Sequence, residues 1–358
     1  MAYFNDKLLL ISDSYKNIDL FRLVKGNIIR YHFNYERQNY SEKIVAKGVF
    51  KEYDISIDEK DTIYIIHQDT TFDLMLTLIK KNGELETVKL TEEPILEIYY
   101  LNLILDLDKP HIIYFILVPD IEKKYRIYHH YFTGEEWRTN IVDEIRVREL
   151  LNPLRVFYTD NQIFIVYYDK VEEEQIYIKK FNINKGEWEE KIRLTDSKEN
   201  KLYSDIIVKG SKIHLTYCEY EEGNLVVKYG RFNYENNLAE KEIEDTLSNP
   251  ENPQDPTLVY YNRKLWVVWV EHENLLSRYS DDLGNTWSPI YLWNESKGKD
   301  IVRYKYHKLF DEGMILNYSF GKIAPEIGFI GFGPTENTIE IPLKKNMEQN
   351  FMKRIPKF

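Results

Sequence analysis

The stretch Leu154–Thr195, "LRVFYTDNQIFIVYYDKVEEEQIYIKKFNINKGEWEEKIRLT", holds four short apolar or alternating runs. They are "LRVFYT", "QIFIVYY", "QIYIKKFNI" and "EKIRLT", separated by Asp-Asn, by an acidic tract and by Asn-Lys-Gly. Runs of this length, rich in Ile, Val, Tyr and Phe and bounded by turn formers, read as β-strands joined by short loops. The stretch is therefore one antiparallel unit of four strands, A to D.

The unit recurs along the chain. "TIYIIHQD", "IIYFILVPD", "QIFIVYYD", "KIHLTYCE" and "KLWVVWVE" each follow a turn, and their anchors are Ile63, Ile113, Ile163, Ile213 and Leu265, with Met314 next. Successive spacings are 50, 50, 50, 52 and 49. A polar corner ending in a large apolar residue keeps the same beat at Leu85, Trp137, Trp188, Leu238 and Trp287, and Tyr40 aligns with Trp188. A period of this size marks a propeller or solenoid. The fold class expected is all-β, a seven-bladed β-propeller of four-stranded antiparallel blades, in which each blade buries its faces against its neighbours. A β-sandwich array is the competing arrangement. The blades fall at about 6–49, 52–92, 97–145, 152–197, 202–247, 254–294 and 300–343, all in one domain over 1–343. Both end units look whole, so closure is expected by face packing rather than strand exchange. A basic tail, 344–358, follows.

In the sixth unit the C to D corner is "SDDLGNTW", Ser280 to Trp287. Asp282 and Asn285 suit bonds to nearby backbone, Gly284 suits a positive φ, and Trp287 suits a cover over the hairpin. Ser280, Asp282, Gly284 and Trp287 also fill the Asp-box pattern Ser-x-Asp-x-Gly-x-x-Trp, so the chain resembles the sialidase-like (BNR repeat) propeller superfamily. "NKGEW" and "TGEEW" keep only the Gly and Trp. The resemblance implies a propeller whose B to C and D to A loops form the ligand face, with the Asp box on the opposite face. It implies sialidase chemistry only if an arginine triad is present. "FRLV" at Phe21–Val24 lacks the proline of the family's first arginine motif and falls on strand B of the first unit.

Composition narrows the function classes. A net charge of −11 opposes nucleic acid, whose affinity comes from neutralising phosphates. The N-terminal residues contain neither a signal-peptide core nor a membrane span. The single cysteine, Cys218, lies in an apolar strand as a buried structural thiol, and with no disulfide possible the expected compartment is the cytoplasm. No spacing calls for a metal or a cofactor, and His129 and His130 should point to opposite faces of their strand.

Two sets of residues on the repeat can do chemistry. Strand B ends, six residues beyond the anchor, carry Asp69, Asp169, Glu219 and Glu271. Two of these carboxyls at suitable separation could serve as acid and base in glycoside cleavage, or all could simply cap their turns. The innermost A strands bring Arg155, Asp205 and Thr257 to one level, with Asp54 and Arg303 near it. There the arginines could receive a carboxylate bidentately, or the charges could pair with one another. The connections "RVRELLNP" and "LSNPENPQDP" would shape the rim. The expected function is a non-catalytic scaffold binding a protein or a carbohydrate ligand through one loop face. The alternative is a glycoside hydrolase or lyase using the face carboxylates.

Overall fold

The computed structural model describes residues 7–36, 39–119, 123–308, 313–323 and 326–344. Apart from Lys344, the basic tail lies outside the described residues.

The first six units each form an antiparallel meander. In the fourth, strand A (Arg155–Thr159) pairs with B (Gln162–Lys170), B with C (Glu174–Asn182), and C with two short D segments, Glu187–Trp188 and Ile192–Arg193. Strand B is apolar without a break because both its faces are covered. Ile163, Ile165 and Tyr167 pack on the third unit, while Phe164, Val166 and Tyr168 pack on the fifth. Outer strands are exposed, as along the whole of Leu85–Lys89. Inner strands touch from unit to unit. Asp54 Oδ2 accepts the Leu103 amide at 2.7 Å, Asp205 Oδ2 accepts the Leu258 amide at 2.9 Å, and Arg155 Nε donates to the Ser204 carbonyl at 2.7 Å. The sheets are thus radial, with A strands around a shared axis.

Three expectations differ from the structure. Among the described residues the strands assemble into six sheets, and those of the last repeat are shared between two of them. Val302–Lys308, Tyr318–Lys322 and Gly328–Ile330 of the last repeat join the first unit's sheet, and Thr338–Ile341 extends the sixth unit by pairing with Ile290–Trp293. Closure is consequently by backbone pairing as well as packing. Leu8–Ser12 runs parallel to Val302–Lys308, with Leu8 opposite Tyr304, and Leu8, Leu10, Leu20, Val302 and Tyr304 share one core cluster. Parallel pairing is the only choice open to two A strands that run the same way along the axis.

The anchor in the third unit is also out of step. Asp54, Asn102, Arg155, Asp205 and Thr257 pair with Ile66, Ile113, Val166, Thr216 and Val268. Ile113 therefore stands three residues farther along strand B than Ile63, Ile163, Ile213 and Leu265. It faces the fourth unit, whereas Ile63 and Ile163 face the unit before their own.

The corner at Ser280–Trp287 is a rigid structural device. Ser280 Oγ donates to Asp282 Oδ1 at 2.7 Å and accepts the Gly284 amide at 2.7 Å, and Asp282 accepts the Thr286 amide at 2.8 Å. The Ser280 bond, with that amide, pulls the Asp282 carboxyl down to about 2. Asn285 instead donates to the Asp282 carbonyl at 2.6 Å. Gly284 has φ +95°, and Trp287 meets the Tyr229 ring at 4.9 Å.

Candidate functional site

The A strands begin on the face that carries the D to A and B to C connections. There they enclose an axial cavity of about 490 Å³. Its wall is Tyr100, Asn102, Arg155, Tyr203, Arg303 and Tyr318, with Lys7, Lys305, Glu52 and Asp255 and the connection 150–154.

Backbone strain aims part of this wall. Tyr100, Tyr203 and Asp255 have φ of 52°, 55° and 48°, each two residues before the innermost residue of its strand, and strand pairing slips at all three places. A bulge adds a residue and re-aims a side chain that alternation would send into a blade. Positive φ at a bulky residue costs roughly 1–3 kcal/mol, and such strain concentrates at functional sites.

The charges below the mouth form a connected set. Lys305 Nζ donates to Asp54 Oδ2 at 2.6 Å and to Asn102 Oδ1 at 3.1 Å. Arg303 donates to Asp255 Oδ1 at 3.1 Å and to Thr257 Oγ1 at 2.8 Å, and Lys7 pairs with Glu52 at 2.8 Å. Among the described residues Arg155 makes no salt bridge, although it is only 5% exposed. Its guanidinium and that of Arg303 each lie 4.5 Å from the centre of the Tyr318 ring.

The electrostatics follow from this packing. Burial pushes the Tyr318 hydroxyl up, but Arg155, Lys305 and Arg303 outweigh it and hold the group below the usual tyrosine range. Burial weakens the charged form of Arg155, yet Tyr318, Asp205 and Asp255 overcompensate. The Asp205 carboxyl moves the other way: burial raises it against Arg155 and Arg303. One oxygen each of Asp54 and Asp205 is buried without a hydrogen-bond partner.

Of the residues singled out in the sequence, Arg155 and Arg303 meet in this cavity, Asp205 acts on both as a counter-charge, and Asp54 pairs instead with Lys305. Each of the four strand-end carboxylates is engaged by local partners. Asp69 caps its own turn through the Thr71 and Asp73 amides, both at 2.9 Å. Asp169 accepts the Arg146 amide at 3.0 Å and Lys191 at 2.8 Å. Glu219 accepts Ser197 at 2.5 Å and lies 3.6 Å from Lys201, while Glu271 accepts Trp269 Nε1 at 3.2 Å. Among the described residues no two of them share a hydrogen-bond partner. Cys218 is buried and its thiol is pushed well up by burial. Lys7, Lys305, Tyr318, Tyr100 and Tyr203 were not singled out in the sequence. Among the described residues no group of three or more His, Cys, Asp or Glu is placed to hold a metal ion, and no helix is long and apolar enough to cross a membrane.

Radial antiparallel sheets around a polar axial cavity define a β-propeller. No family model matches the sequence, and no curated protein sequence is significantly similar to it. Solved structures share the fold. The PL25 ulvan lyase, a polysaccharide lyase bound to -[GlcA(1-4)Rha3S]-, is similar over 100% of both chains at 10% identity and a TM-score of 0.58. The BP39L lectin from Burkholderia pseudomallei is similar over 92% of this chain and 100% of its own, at 9% identity and a TM-score of 0.53.

Proposed function

We propose that the protein is a carbohydrate-binding propeller whose axial cavity takes an acidic sugar. The observation that carries this reading is Arg155: a buried guanidinium beside an open cavity, with a backbone carbonyl and a tyrosine ring as neighbours and no carboxylate paired to it. Carboxylate and sulfate groups match such a guanidinium bidentately. Tyr100 and Tyr203 supply flat apolar area for a sugar ring. A deep cavity with a few polar groups suits a small or chain-end ligand better than a protein surface. The likeness in fold to a lyase bound to a uronate-containing oligosaccharide, and to a lectin, is compatible with it. In this reading the ring is sevenfold, with the three strands 302–330 as the seventh blade zipped to the first, and the protein works in the cytoplasm.

The test is calorimetric titration with uronate-containing, sulfated and neutral oligosaccharides. Acidic ligands should bind, and Arg155→Met should weaken binding about tenfold or more while the thermal transition persists. Equal affinity for neutral sugars, or full affinity in the variant, overturns the reading.

One observation favours a second reading, a lyase. Tyr318, held below the ordinary tyrosine range between two guanidiniums, has the character of a general base. It could take the proton next to a uronate carboxylate while the glycosidic bond to the neighbouring carbon breaks, and pass that proton to the departing glycosidic oxygen, leaving an unsaturated uronate. Ultraviolet absorbance of that product, lost in Tyr318→Phe, decides between binding and lysis.

A further inference from the structure

A second cavity, of about 400 Å³, opens between the first two units on the opposite face, where the A to B and C to D turns lie. Its floor includes Ile57, Ile63 and Ile79, and its wall includes Asp19, Arg30, His32 and Lys43. The repeat explains why it is open. Arg30 pairs with Phe21 just as His129 pairs with Ile113 and Tyr229 with Thr216, so the three occupy the same wall position in their blades. Over His129 the next blade places Trp188, ring to ring at 5.4 Å, with its Nε1 donating to His129 Nδ1. Over Tyr229 it places Trp287 at 4.9 Å. The matching corner residue of the second blade is Leu85, which pairs with Ile79 as Trp188 pairs with Phe181. Leu85 is 38% exposed and leaves the wedge unfilled.

The polar groups of this wedge are unevenly used. Asp19, 1% exposed, accepts Arg30 Nε at 2.7 Å, Arg30 Nη2 at 2.8 Å and His32 Nδ1 at 2.9 Å. Asp13 accepts the Tyr15 and Asn17 amides and the Asn17 side chain. Asp61 accepts Ser14 and Lys81. The acids are thus engaged by protein donors. Arg30 Nη1 makes no hydrogen bond among the described residues, and Lys43 Nζ makes only a long one, 3.4 Å, to the Gly83 carbonyl. Unspent donors around a cavity with satisfied acids fit a ligand that only accepts.

We propose that this inter-blade wedge is a binding site for a tetrahedral oxyanion, as a phosphate or sulfate monoester of a small molecule, held by Arg30 Nη1 and Lys43 Nζ. Asp19 fixes the guanidinium by occupying its other edge, and the ligand fills the volume that Trp188 and Trp287 fill elsewhere. The site is independent of the axial cavity and of what that cavity binds.

The experiment is thermal-shift and calorimetric titration of the full chain with inorganic phosphate, glucose 6-phosphate, N-acetylglucosamine 6-sulfate and the two parent sugars. Lys43→Gln leaves the Asp19–Arg30 pair in place, and Leu85→Trp plugs the wedge. The phosphate or sulfate compounds should bind and raise the melting temperature. Affinity should fall about tenfold or more in Lys43→Gln and vanish in Leu85→Trp, with axial-site binding unchanged. A response to phosphate esters alone or to sulfate esters alone identifies the source and supports the site. Binding that survives Leu85→Trp, parent sugars that bind as tightly as their esters, or no response from the folded wild type overturns it.

Discussion

Gly284 shows how one residue can be fixed by both backbone and neighbour. Its φ of +95° already disfavours a side chain, and an added Cβ would lie 2.3 Å from the Tyr229 hydroxyl oxygen. That hydroxyl cannot simply retreat, because it donates to the Leu283 carbonyl at 3.2 Å and bonds His214 Nδ1 at 2.7 Å. Gly284→Ala should therefore cost about 2–4 kcal/mol, combining backbone strain with overpacking. Urea unfolding measures it, and a loss below about 1 kcal/mol would show that the corner yields. At the same scale, Arg155 and Arg303 could be found from sequence because the period places them on inner strands. Tyr100 and Tyr203 could not, since bulges turn them toward the axis against strand alternation. Tyr318 was hidden for another reason: it stands four residues beyond Met314, at neither the strand-end nor the inner-strand position that the period marked.

Elements make the blade-to-blade contacts specific. At the third and fourth blades Trp188 Nε1 donates to His129 Nδ1 at 3.2 Å, and His129 Nε2 bonds His111 Nδ1 at 2.9 Å. Because indole nitrogen can only donate, the hydrogen on His129 must sit on Nε2, and the chain runs one way from tryptophan to His111. Trp188→Phe removes the first donor and leaves a buried acceptor unpaired, which should cost about 1–3 kcal/mol. Trp137, at the same corner of its own blade, is 41% exposed, and Trp137→Phe should cost about 0.5 kcal/mol or less. Chemical denaturation of the two variants checks the contrast, and equal losses would remove the hydrogen-bond chain as its cause. The corner residues kept the repeat legible even where the anchor at Ile113 slipped. A corner is pinned by its turn, whereas a strand of uniform apolar residues can be read three positions along without any local contradiction. The pairing of the last repeat with the first and sixth units was not legible, because pairing partners are not written in a strand's own residues.

For the whole molecule the imidazoles set the response to acid. His111, His129 and His214 are each at most 2% exposed. Burial lowers His111 and His214 to about 4 and holds His129 well below its ordinary value, with His111 and His130 adding repulsion at His129. An unfolded chain protonates these groups near their ordinary value of about 6.5, well before the folded chain does, so between those limits the unfolded state binds more protons. Their contribution is thus complete above about pH 6.5 and is lost as the pH falls toward 4. At pH 5 each costs up to about 2 kcal/mol relative to neutrality. Three acids oppose this. Burial raises Glu174 to about 7 and also raises Asp205 and Glu271, so all three favour the folded state more at low pH than at high. Three deep imidazoles, joined by His67 and His307 at about 4, outweigh them. Unfolding midpoints in urea should accordingly fall by several kcal/mol equivalent between pH 7.5 and pH 5, and His214→Gln should recover part of the loss. A midpoint that is flat or rises on acidification would mean that the carboxyls, and not the imidazoles of the blade interfaces, govern how the ring opens.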